Sequence, residues 1–93
     1  EMEVDTTTKI CFDGKLYKFK ALNSDGKELN FVVTNDTVQK LGESFAEFRR
    51  ACEEAVNNGN HIHVKIQYKN GTYTDSTSNK EFAVFYMLGI VTQ

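Results

Sequence analysis

Proline and tryptophan are both absent from this chain. With no proline, nothing forces a kink or vetoes a strand position, so breaks must come from glycine and from clusters of Asn, Asp and Ser. Cysteine is scarce. Cys11 and Cys52 can close one bridge at most, which excludes a disulfide-stapled scaffold, and no CxxC or metal-type spacing accompanies them. Charge of one sign is missing as well, since 11 Lys and Arg stand against 13 Asp and Glu for a net charge of −2. No overall field draws in nucleic acid or an anionic membrane, although a local basic face is still open to the chain. The longest apolar run, Phe82 to Val91, is interrupted only by Gly89 and falls well short of the ~20 residues of a membrane-spanning helix. It reads as a buried strand.

Catalytic templates are missing too. There is no G-x-S-x-G elbow, no phosphate-binding glycine loop and no cysteine with a local nucleophile signature. The sequence therefore reads as non-enzymatic, with no cofactor.

What is present supports one folded domain over residues 1–93, with 40% apolar residues, seven Phe and four Tyr. Val38, Leu41, Phe45, Phe48, Cys52, Ala55 and Val56 recur at steps of three and four, which sets them on one helix face. The spacing predicts a single helix capped by Asp36 or Thr37 and ended near Asn57 by Asn58-Gly59. Strand patterns flank it. Thr7–Phe12, Lys15–Leu22 and Lys27–Thr34 precede the helix, separated by Asp13-Gly14 and Asn23-Ser24-Asp25-Gly26 turns. After it, His61–Tyr68 alternates strictly, Asn70-Gly71 signals a hairpin turn, and Phe82–Val91 closes the chain. A Ser78–Glu81 capping box admits a terminal helix instead, but Phe, Val, Tyr and Ile favour strand. Residues 1–6 are expected to fray; over 72–80 either the next strand starts at Thr72 or the segment is a mobile loop.

The order β-β-β-α-β-β predicts an α+β domain with one helix on a curled antiparallel sheet. An OB-like, partly closed barrel is favoured, with an open helix-on-sheet as the alternative. A last strand apolar on both faces suits a sheet that closes; burial by a second subunit would serve equally.

Four residue sets carry candidate functions. Phe85, Met87 and Val91 face away from Val84, Tyr86, Leu88 and Ile90 on an alternating strand, so one row is surplus to a single core. With Tyr73 in the polar loop, Phe85 and Met87 are the candidate contacts for another protein or for self-association, and this is the leading reading. Lys18 and Lys20, with Lys65 and Lys69, form a candidate basic strip for single-stranded nucleic acid if their strand faces lie on the same side. Tyr73, Tyr17 or Phe19 would supply the stacking ring. Against it, Tyr17 and Phe19 alternate away from the lysines towards the core. His61 and His63 share a strand face and are a weak metal pair, which needs a third ligand from Cys11, Asp75 or Glu81. Last, Cys11 and Cys52 are expected as free thiols, which suits a cytoplasmic protein, with secretion as the alternative. Glu1 stands where a start Met would, and leaves open a residual residue before Met2 or a processed product. Asn35-Asp36-Thr37 and Asn70-Gly71-Thr72 match the glycosylation acceptor pattern that secretion would use.

Overall fold

The computed structural model describes residues 1–91. Its strands are β1 (Met2–Thr6), β2 (Cys11–Phe12), β3 (Tyr17–Leu22), β4 (Glu28–Val33), β5 (His63–Thr74) and β6 (Glu81–Val91). Between β4 and β5 lie α1 (Asn35–Leu41) and α2 (Glu43–Asn57).

Strand order is β1-β5-β6-β4-β3-β2, and a further pairing of β1 with β3 closes the sheet on itself. Five strands make a mixed barrel and β2 is the extra one, the OB-like arrangement expected from the element order. Closure depends on β1. Its length pairs with β5 from Met2↔Ile66 to Asp5↔His63, while its end pairs with β3 through Asp5↔Leu22 and Thr6↔Ala21. The neighbouring β2 takes up β3 again at Cys11↔Lys18 and Phe12↔Tyr17. A parallel contact joins β4 to β6 at Phe31↔Phe85 and Val32↔Tyr86.

Inward residues follow the period-2 rule. Val4, Phe19, Ala21, Leu29, Phe31, Val33, Ile66 and Met87 fill the interior, with Phe19 stacked on Phe31 at 5.1 Å. The helical stripe plugs the barrel with Phe45, Phe48 and Cys52. Phe48 meets Phe19 edge-on at 5.7 Å and Phe45 meets Tyr17 at 5.2 Å. Each such ring contributes roughly 1.5–3 kcal/mol by leaving water. Buried Thr6 is satisfied, because its hydroxyl accepts from the Ile62 N–H at 3.2 Å.

Four expectations need correction. Residues 1–6 do not fray, since Met2–Thr6 is the strand that closes the barrel. The helix is broken at Gly42, whose φ of 56° and ψ of −124° leave the helical region, and its cap is Thr34, which accepts from the Thr37 N–H at 3.3 Å. Asn70-Gly71 is not a turn but lies inside β5, so residues 72–74 are strand and the tip moves to Asp75–Lys80. Finally, β6 does not alternate strictly. Tyr68 faces Met87 while Gln67 faces Gly89, a bulge that spends Leu88 and turns Ile90 inward beside Phe85 and Met87.

Candidate functional site

A cleft of about 500 Å³ lies on the outer face of β3 and β4, between the Thr8–Cys11 segment and the β5–β6 hairpin. Its floor is apolar. Val32 and Val84 are buried there although both point away from the barrel interior. Lys9, Lys18, Lys20, Asn30 and Cys11 line one side, and Tyr73, Asp75 and Phe82 line the other. Phe82 pairs across the hairpin with Tyr73 and is 47% exposed, so a bare ring stands at the cleft edge.

Two loops meet at Lys18. Its ammonium reaches Asp13 Oδ2 at 2.8 Å and sits 3.9 Å from the centre of the Tyr73 ring. Asp13 is itself fixed by its own loop, accepting from the backbone N–H groups of Leu16 at 2.8 Å and Lys15 at 2.9 Å. Those contacts, with the Leu16 N–H first and the Lys18 ammonium next, hold the Asp13 carboxyl well below the usual carboxylate range. The same Asp13 contact raises the Lys18 pKa. Opposite, the hairpin tip is tied together: Asp75 accepts from the Thr77 N–H and the Ser78 hydroxyl, and its N–H donates to the Lys80 carbonyl at 2.9 Å.

The other lysines here also have acidic neighbours, Lys9 with Glu53 at 4.0 Å and Lys20 with Glu28 at 3.8 Å. These pairs are exposed and worth about 0–1 kcal/mol each, so a phosphate can displace them cheaply.

The expected basic strip is divided by the barrel. Lys18 and Lys20 line the cleft with Tyr73, whereas Lys65 and Lys69 do not. Lys65 belongs to the β1 seam, 3.5 Å from Glu1, and Lys69 lies farther along the hairpin beside Tyr86. Tyr17 and Phe19 point into the core. So do two of the three candidate partner contacts. Met87 is 1% exposed, and Phe85 turns in against Phe31 at 5.6 Å and Tyr68 at 5.3 Å. The row expected to be free is the barrel interior, because closure of the sheet through β1 and β3 turns that face inward.

The histidines are separated as well. His61 donates from Nδ1 to the Thr6 carbonyl at 2.7 Å, while His63 bridges Asp5 at 2.7 Å and Glu3 at 3.6 Å. Cys11 lines the cleft, Asp75 is committed to the hairpin tip, and Glu81 pairs with Thr74 at its base. Among the described residues, no group of three or more His, Cys, Asp or Glu is placed to hold a metal ion. Cys11 and Cys52 are both free thiols, and burial pushes the Cys52 pKa up to about 11.

Sequence reasoning missed Lys9, Asn30 and Phe82. The signal for Phe82 was available, because extending β5 to Thr74 sets Tyr73 directly opposite it. No family model, curated protein or solved structure matches the chain. No helix among the described residues is long and apolar enough to cross a membrane.

Proposed function

We propose that this protein binds an extended single strand of nucleic acid in the cleft between the connection from β1 to β3, at Thr8–Cys11, and the β5–β6 hairpin. The observation that carries the reading is one cleft combining an exposed ring, Phe82, with Tyr73 and three lysines, Lys9, Lys18 and Lys20. The position matters as much as the composition. In OB folds the second and third barrel strands, with the loops joining strands 1–2 and 4–5, are the usual surface for oligonucleotides and oligosaccharides. Here those strands are β3 and β4, and those loops are the cleft walls.

Each feature suits one part of a single strand. A base has a π-face for Phe82 or Tyr73, phosphates can exchange for the carboxylates now beside the lysines, and Asn30 can meet a base edge. Two free thiols are compatible with a reducing compartment such as the cytoplasm.

The test is fluorescence polarisation of a labelled mixed-sequence oligonucleotide over a salt series. Three lysine–phosphate contacts predict a log–log salt slope of about −2, or roughly 20-fold weaker binding for a fourfold rise in salt. Phe82→Ala removes one stacking surface and lowers affinity about tenfold or more. Lys20→Glu lowers it too and flattens the slope. Absence of binding at low salt overturns the reading.

A protein partner or self-association is the second reading, favoured by three exposed apolar side chains, Phe12, Phe82 and Leu88. Concentration-dependent sedimentation with no oligonucleotide binding would put it first.

A further inference from the structure

We propose that Tyr86, lying across Gly71 beside Lys69, is a second stacking site that carries the same strand out of the cleft along β6. The inference rests on the single-strand reading above. It starts from a glycine that has no conformational reason to be where it is. Gly71 lies inside β5, opposite Val84, and is not among the glycines with positive φ. Glycine within a strand costs roughly 0.5–1 kcal/mol relative to a residue with a side chain. What Gly71 supplies is room: a Cβ there would run into the Tyr86 ring.

The ring is therefore laid down on the sheet, and its hydroxyl is tied by donating to the Thr72 carbonyl at 3.3 Å. A half-buried aromatic ring held at both ends is a preorganised platform, which lowers the ordering cost of stacking a base on it. The charge is placed to match. Lys69 sits directly across from Tyr86, with its ammonium 5.7 Å from the ring centre, and makes none of the ion pairs found among the described residues.

The path is continuous with the cleft. Phe82, Val84 and Tyr86 are successive outward positions of β6, and buried Val84 forms a low saddle between the two rings. Phe82 and Tyr86 are four residues apart, roughly 13 Å along a strand. That distance suits roughly two to four nucleotides at a rise of 3.4 Å or more. Beyond Tyr86, Thr34, Thr37 and Asn70 line a depression of about 470 Å³, offering hydroxyl and amide groups of the kind that contact sugar and phosphate.

The experiment compares labelled oligothymidines of about four and about twelve nucleotides, within the range of site sizes of OB folds. It uses the wild type, Tyr86→Leu and the exposed Lys69→Gln, with thermal melts to confirm folding. The wild type is expected to favour the longer strand by about tenfold or more, from one added stacking contact. Tyr86→Leu removes that preference and leaves the short-strand affinity within about twofold. Lys69→Gln reduces the salt slope by about 0.7 for the long strand alone. A retained length preference in both variants, or an equal loss for short and long strands, overturns the second site while leaving the cleft standing. Failure of the wild type to bind either strand removes the single-strand reading and this inference with it.

Discussion

Met87 and Leu88 are neighbours in one strand, and alternation gives them opposite environments. Met87 is 1% exposed inside the barrel, while Leu88 is 45% exposed. Truncating a fully buried Met to Ala costs about 2–5 kcal/mol, through lost transfer energy and the cavity left behind. Taking about 3 kcal/mol, and 4–8 °C per kcal/mol for a domain of this size, Met87→Ala lowers Tm by roughly 12–24 °C. That is a large share of the roughly 5–14 kcal/mol that a chain of this length holds in total. Leu88→Ala removes a side chain only half withdrawn from water, so about 1 kcal/mol or less is expected. Urea unfolding followed by circular dichroism measures both. A Leu88→Ala cost equal to or above that of Met87→Ala would mean β6 is turned over. Phe85 and Met87 would then be surface, and the cleft floor would not exist as described.

Three further outcomes are expected. His63 is held by Asp5, and secondarily by Glu3, so its pKa is raised above the ordinary 6.5. A raised value means the contribution to the β1–β5 seam is complete below about pH 6.5 and disappears as pH rises through the folded pKa. An NMR titration should give a midpoint above 6.5 that falls in Asp5→Asn; an unchanged midpoint would contradict the pairing. Native protein should show one thiol, Cys11, reacting quickly with Ellman's reagent, with Cys52 reacting only on unfolding; two fast thiols would contradict its burial. Thr34→Ala should cost about 1 kcal/mol through loss of the helix cap, while Asp36→Ala costs clearly less in the same unfolding assay.

The fold was legible where residues act locally. The helical stripe, the turns at Asp13-Gly14 and Asp25-Gly26, and the alternation of His61–Tyr68 all depend on near neighbours, and they carried the element order to the barrel. What was hidden depends on pairing across the barrel. Met2, Val4 and Thr6 alternate with Glu3 and Asp5, a short strand signal at a chain end, but its pairing with β5 and β3 could not be read locally. Asn70-Gly71 reads as a turn from composition, yet Gly71 serves to make room for Tyr86, which lies on another strand. That misreading moved the hairpin tip and concealed Phe82 opposite Tyr73. The same limit applies to the site. Alternation placed Lys18 and Lys20 on one face, but only the strand order shows that β6 and β4 separate them from Lys65 and Lys69.

The most direct measurement is an amide chemical-shift map of the labelled protein titrated with a short single-stranded oligonucleotide. The account predicts shifts confined to Thr8–Lys20, Asn30–Val32 and Tyr73–Val84, with α2 and the His63 seam unmoved. Shifts centred on α2 or on the β1–β5 seam, or none at all, would contradict it.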